Sequence, residues 1–139
     1  MWNIFNNIAK IRTYVTLVQG AKVSELRTFT EEDVKTFARL TGDLNPVHFG
    51  DGGIVHGVLI NGLVSSILGT RLPGPGYVVV HQNMDFPNPL PVGQTIRIAV
   101  ELTQARKIME CAYTCTTVDS DKIVHKGIAK LIKPSHSKS

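Results

Sequence analysis

Residues 41–62 read TGDLNPVHFGDGGIVHGVLING, and the fold turns on how this stretch divides. An aspartate, an Asn-Pro step and a histidine fall within six residues, Asp43 to His48. A run with helical periodicity precedes them, and the chain beyond them is apolar almost without a break. Pro46 disfavours helical angles at Asn45 and fixes its own, so the segment predicts a rigid bend between two helices. Such a bend can bring the Asp43 carboxylate and the His48 imidazole to one point.

The helix before the bend is marked at both ends. In FTEEDVKTFARLTG, residues 29–42, Thr30 suits an N-cap, Asp33 the capping-box position, Phe29 and Val34 a hydrophobic staple, and Gly42 a stop. Glu31, Glu32 and Asp33 suit the positive end of its dipole. Val34, Phe37, Ala38 and Thr41, with Leu40 beside them, form the face expected to lie on a core. After the bend, GVLINGLVSSILGTRL is apolar nearly all round, as expected of a helix enclosed by other structure. PGPG then stops it.

From Tyr77 the period changes to two. Val78, Val80, Met84 and Phe86 share one face and His81, Asn83 and Asp85 the other. Ile96, Ile98, Val100 and Leu102 alternate with Arg97, Ala99 and Glu101, and MECAYTCTTV and KIVHKGIAKLIK continue the pattern. Strands this close in sequence favour antiparallel pairing, and a first strand around Leu17 to Thr28 completes the set. One curved antiparallel sheet wrapped around a long buried helix is the economical way to cover that helix. The expected fold is therefore α+β, a single hot-dog. A sheet of this kind leaves edge strands that a second subunit can cover, so a homodimer is expected.

The totals narrow the function classes. At 139 residues the chain holds one domain, expected over 17–134 with a polar tail at 135–139. The longest apolar run, Gly57 to Gly69, contains Asn61, Ser65 and Ser66 and is shorter than the roughly 20 residues of a membrane span. The formal charge of +4 sits largely at the start: Lys10, Arg12 and Lys22 precede the first acid, Glu25, leaving 12 basic against 11 acidic residues beyond them. The body is therefore close to neutral and its basic residues lack interleaved aromatics, which argues against a nucleic-acid surface. Residues 1–16 are acid-free, with Trp2, Phe5, Ile8 and Ala9 at near-helical spacing, which fits either a mitochondrial transit segment or an ordinary N-terminal extension. Cys111 and Cys115 share a strand face about 13 Å apart, beyond disulfide reach, and are expected to be buried thiols.

An Asp-His pair suits holding one water and moving its proton. The alternative is structural: Asp43 caps a turn and His48 satisfies buried backbone. The residues after the bend favour chemistry, because Gly57 lies at or near a helix start, where free N–H groups stabilise developing negative charge. His56, beside it, is expected to be a structural hydrogen-bonding group, and His81, His125 and His136 receive no role. A metal site from Asp43, His48, Asp51 and His56 matches neither an HExxH nor a Cys/His zinc spacing. No GxGxxG or P-loop occurs, and no cofactor is expected.

LTGDLNPVH followed by IVHGVLINGLVSSILGTRLPGPG, with ELRTFTEEDVKTF and MDFPNPLPVG around them, resembles the MaoC-like (R)-specific enoyl-thioester hydratase family over about residues 20–134. Within it, the chain resembles the animal mitochondrial 3-hydroxyacyl-thioester dehydratases of type 2. The resemblance implies a homodimer that interconverts trans-2-enoyl and (R)-3-hydroxyacyl thioesters of acyl carrier protein or coenzyme A. In the mitochondrial matrix this would be the dehydration step of type II fatty acid synthesis. It implies Asp43 and His48 as the catalytic pair, Gly57 as the amide on the thioester oxygen, Ser65 as a pocket-side serine and Asn45 as a loop support, with no metal or redox cofactor.

The loop after His48 departs from the family. Only FGDGG joins His48 to Ile54, about nine residues, or roughly two and a half helical turns, fewer than the family pattern. Three readings therefore remain open: an active hydratase with an altered acyl pocket, an impaired acyl-thioester-binding or dimerising isoform, and a hot-dog thioesterase. The absence of Asp and Glu from Gly57 to Thr70 weighs against the last, whose acid commonly sits on the central helix.

Overall fold

The computed structural model describes residues 17–135, so the expectations for residues 1–16 and for the tail beyond Ser135 lie outside the described residues. The element order is β1 (Lys22–Thr28), α1 (Glu31–Thr41), a 3-10 turn (Pro46–His48), α2 (Gly57–Thr70), β2 (Val78–Gln82), β3 (Thr95–Gln104), β4 (Met109–Thr117) and β5 (Ile123–Ile132). The five strands form one sheet in the order β1-β3-β4-β5-β2, every pair antiparallel. β1 and β2 are its edges.

α1 begins as its sequence requires. Thr30 Oγ1 accepts from the Asp33 N–H at 3.1 Å, and Asp33 Oδ2 accepts from the Thr30 N–H at 2.9 Å. That backbone bond holds the Asp33 carboxyl below its ordinary value. Gly42 closes the helix in the left-handed region, φ 78°, with its N–H on Ala38 O. The core-facing side is narrower than the periodicity suggests: Val34 and Ala38 are buried, Phe37 is half-buried, and Thr41 and Leu40 are exposed.

The sheet wraps α2. Ile60, Val64, Ile67 and Leu68 face Ile96, Ile98, Val100 and Leu102 of β3, Cys111, Tyr113 and Cys115 of β4, and Ala129 and Leu131 of β5. Burial of about 25 cal/mol per Å² of apolar surface drives this layer together. The apolar character of α2 does not enclose it on every side, however. Val58, Ser65 and Ser66 are exposed, so one face of the helix stays open in a single chain.

Three further differences have local causes. β1 begins at Lys22 rather than Leu17, because a turn with Gly20 at φ 91° and the Ala21 N–H on Val18 O reverses the chain first. β2 ends at Gln82, and a register shift between Val79 and His81 interrupts it. Val78, Val80, Met84 and Phe86 all remain exposed along this edge. In β5, Cys115 pairs with His125 and Thr116 with Ile123, so a bulge at Val124 turns two successive residues, Val124 and His125, into the core. Both cysteine thiols are buried, and burial pushes each up to about 12.

Candidate active site

The bend between the helices is built from three consecutive side-chain turns. Thr41 Oγ1 accepts from the Asp43 N–H at 3.2 Å, Asp43 Oδ1 from the Asn45 N–H at 3.3 Å, and Asn45 Oδ1 from the Val47 N–H at 3.4 Å. Asn45 thus caps the 3-10 turn, with Pro46 in its first position. Its side chain holds the backbone of the loop.

His48 is tied down from the opposite side. Its Nδ1 lies 2.8 Å from Ile54 O, and because a carbonyl only accepts, Nδ1 carries the proton. Nε2 then faces Asp43 Oδ2 at 3.8 Å. That spacing exceeds a direct hydrogen bond, but a single water at about 2.8 Å from each atom could donate to both. Such a water would turn its oxygen lone pairs away from the pair.

The short connection is closed by hydrogen bonds. Gly53 N donates to Gly50 O at 3.1 Å and Ile54 N to Val47 O at 3.0 Å. Gly50 and Gly52 sit at φ 75° and 73°, and a β-carbon on Gly53 would lie 2.7 Å from His48 O. The glycines of FGDGG are what allow the chain to return within five residues.

His56 enters the site more fully than the sequence indicates. It is 1% exposed, its Nε2 lies 3.2 Å from Asp43 O and 4.0 Å from Asp43 Oδ2, and Nδ1 has no partner among the described residues. Its ring stacks on His48 with 3.5 Å between centroids and 23° between planes, while Phe37 meets it edge-on at 4.8 Å.

Ligand atoms of Asp43, His48 and His56 lie within 4.8 Å of one another, so a cation site needs a direct test. An imidazole binds a metal in its own ring plane at about 2.0 Å. The two stacked rings have nearly parallel planes that do not meet at such a point, and His56 Nε2 already holds a proton for Asp43 O. These residues do not fit a metal ion, and Asp51 stands outside the cluster.

Gly57 opens α2, and its N–H has no backbone partner among the described residues. A β-carbon there would lie 2.6 Å from Phe86 Cε1, so the Phe86 ring packs on the helix start. Gly57, Val58, Ile60, Met84, Phe86 and Val124 help line a cavity of ≈ 490 Å³. Asp43, His48 and the residue before Gly57 are therefore in one place. Ser65 is exposed two turns further along α2, about 12 Å up the helix axis.

Behind Phe86 lies a buried polar cluster that alternation did not reveal. Phe86 stacks on His125, 4.4 Å between centroids and 8° from parallel. His125 is fully buried, with Nε2 2.9 Å from Asn61 Oδ1 and Nδ1 3.1 Å from Asp85 O. Gln82 Nε2 donates to Asn61 Oδ1 and to Tyr113 Oη, and Tyr113 donates to Asn83 O. Burial lowers the His125 imidazole below its ordinary value, against the opposing pull of the Asp85 carbonyl and carboxylate. Asn61 is the contribution of the largely apolar α2 to this cluster.

The model of the MaoC like domain matches residues 15–123. An (R)-specific enoyl-CoA hydratase of Rhodospirillum rubrum is 34% identical over 129 residues, covering 84% of this chain and 88% of that one. A mitochondrial 3-hydroxyacyl-[acyl-carrier-protein] dehydratase of Arabidopsis thaliana is 26% identical over 146 residues, covering 95% of this chain and 87% of its own. That alignment is longer than this chain, so the plant relative has residues with no counterpart here. The solved (R)-hydratase of A. caviae superposes with a TM-score of 0.79 at 30% identity, covering 86% of this chain and 98% of that one. On the match to most of its length, the chain belongs to the MaoC-like family of (R)-specific enoyl-thioester hydratases and 3-hydroxyacyl-thioester dehydratases, hydro-lyases built on the hot-dog fold.

Proposed function

We propose that this chain interconverts trans-2-enoyl and (R)-3-hydroxyacyl thioesters, with Asp43 and His48 handling the water and the Gly57 N–H binding the thioester oxygen. The observation that carries the reading is the spacing of 3.8 Å between Asp43 Oδ2 and His48 Nε2, with His48 Nδ1 committed to Ile54 O. A water donating to both acceptors presents its oxygen to C3 of the enoyl group.

In hydration, the oxygen–C3 bond forms as one water proton passes to Asp43 or His48. The C2=C3 electron pair moves toward the thioester, leaving an enolate whose oxygen meets the Gly57 N–H and the positive end of α2. The proton taken from water, or its equivalent, is then returned to C2. Dehydration runs the same steps backwards, with the pair acting first as base toward C2 and then as acid toward the leaving hydroxyl. The cavity beside Gly57, walled by Met84, Phe86 and Val124, would take the acyl chain. Ser65, further along the open face of α2, would border the same space once a second subunit covers that face.

A homodimer follows from the same surface. Val58 and the row Val78, Val80, Met84 and Phe86 leave an apolar strip along the β2 edge, which a second copy would cover by pairing edge to edge. The carrier is coenzyme A or acyl carrier protein, and the likeness to mitochondrial dehydratases supports a role in matrix fatty acid synthesis. The hydrogen bonds closing the connection between Gly50 and Ile54 favour an active enzyme over an impaired isoform, because they fix both ends of the short loop around His48.

The test is the loss of enoyl absorbance when the full chain meets a short trans-2-enoyl-CoA, run beside Asp43→Asn. Turnover that falls by about 10²- to 10⁴-fold in the variant supports the assignment. A folded, dimeric wild-type chain with no turnover overturns it.

A further inference from the structure

We propose, on the hydratase reading above, that His56 is a positioning residue: its ring, bonded to the Asp43 backbone and stacked on His48, sets the spacing of that pair. The mechanism itself uses only Asp43, His48 and Gly57, yet His56 touches both members of the pair and adjoins the third residue.

One ring fixes both partners. Through Nε2–H it holds the Asp43 backbone carbonyl at 3.2 Å, which anchors the residue whose carboxylate must face the water. Through its face it supports His48 at 3.5 Å, so that the His48 ring is held by Ile54 O at Nδ1 and by a flat surface beneath. Phe37 braces the edge of His56. His56 is also the residue immediately before Gly57, so the anchored ring sits on the backbone from which α2 begins. A shift of about 1 Å between water and oxyanion donor can cost a hundredfold in rate, so a residue linking both has a direct lever on kcat.

The protonation state follows from partners. Asp43 O can only accept, which assigns the proton to Nε2. Nδ1 is buried with no hydrogen-bond partner among the described residues, so a second proton there would find no acceptor. It would also place a buried charge directly against His48. Of the titratable groups around the stacked rings, Asp43 faces both imidazoles, while Glu31 and Lys35 of α1 line the small cavity on the His48 side. Phe37 of α1 and the first residues of α2, Gly57 and Val58, bring no charge. His48, with its free Nε2 lone pair toward Asp43, is thus the member of the stack that can cycle, and a neutral ring beneath it attracts the imidazolium when it forms.

Two substitutions separate the contacts. His56→Gln keeps a side-chain N–H donor for Asp43 O and loses the ring; His56→Phe keeps a ring under His48 and loses the donor. Each is expected to lower kcat by about tenfold to a hundredfold with KM changed far less, and the kcat–pH profile is expected to move in His56→Phe more than in His56→Gln. Ring ¹H–¹⁵N correlation spectra of the wild-type protein, which need neither substrate nor a stable variant, should show the ring proton of neutral His56 on Nε2 and that of neutral His48 on Nδ1. The opposite tautomer on His56, or wild-type kcat in both variants, overturns the proposal. Absence of turnover in the wild type strikes instead at the hydratase reading, and the spectra then still decide whether the His56 ring is bonded to Asp43 O as the positioning role requires.

Discussion

The Phe86 ring lies on the α-carbon of Gly57 with no space for one more carbon: a β-carbon would fall 2.6 Å from Cε1 and 2.8 Å from Cδ1. The first amide of α2 and the wall of the cavity are therefore one packed unit. The Phe86 ring is also stacked on buried His125, so a shift at Gly57 disturbs that stack.

Gly57→Ala is accordingly expected to push the helix start and Phe86 apart. Overpacking of this size costs about 1–3 kcal/mol, to be read from chemical denaturation. The larger effect is expected on kcat/KM, down by about a hundredfold, since the amide moves relative to the Asp43–His48 pair. An alanine variant with wild-type kcat/KM would dissociate the Gly57 amide from the reaction.

Gly53→Ala tests the short loop separately. Its β-carbon would meet His48 O at 2.7 Å, so His48 or the turn must shift. Loss of activity together with a lower melting temperature is the expected pattern, because Gly53 is buried and the clash is with the backbone that carries His48. Unchanged activity would mean that the short loop does not hold His48 in place.

His125 gives a pH signature. Burial holds its imidazole below the ordinary value near 6.5, so its contribution to stability is complete above that value and is lost as pH falls through the lower, folded-state value. Between neutral and mildly acidic pH the wild-type melting temperature should fall more steeply than that of His125→Gln. Parallel slopes would show that His125 does not take part in the acid response.

The β2 edge is testable by charge. Val80→Glu replaces a 54%-exposed apolar side chain in the centre of the exposed row. Sedimentation is expected to show a dimer in the wild type and a monomer in the variant. An unchanged dimer would move the interface elsewhere.

The two cysteines offer a simple check on the core. With both thiols pushed up to about 12, almost no thiolate exists at pH 8 and neither sulfur is accessible. Ellman's reagent should label neither in the native protein and both after denaturation. Rapid native labelling would contradict the placement of β4.

The helices, strands and bend were legible because each carried a local signal. Thr30, Asp33 and Gly42 delimit α1 by their own hydrogen bonds and backbone angles, and Pro46 forces the turn after Asn45. Asp43 and His48 were legible as a pair for the same reason. His56 was underestimated because its stack on His48 spans eight residues and exists only once FGDGG has folded back. His125 was passed over for a different reason: the bulge at Val124 reverses the alternation within β5, so counting by twos along the strand does not separate its buried residues from its exposed ones. The open side of α2 was hidden too, since sequence apolarity does not distinguish burial within one chain from burial between two.

The turn from Gly50 to Gly53 makes loop length a modular property of this scaffold. Its hydrogen bonds to Gly50 O and Val47 O, with Ile54 O returning to His48, clamp the two stems of the connection. A longer excursion could be spliced between those stems, or removed, while the imidazole keeps its anchor. The junction is thus a natural grafting point, at which the connection can be lengthened or trimmed as an exchangeable cassette without rebuilding the Asp43–His48 spacing.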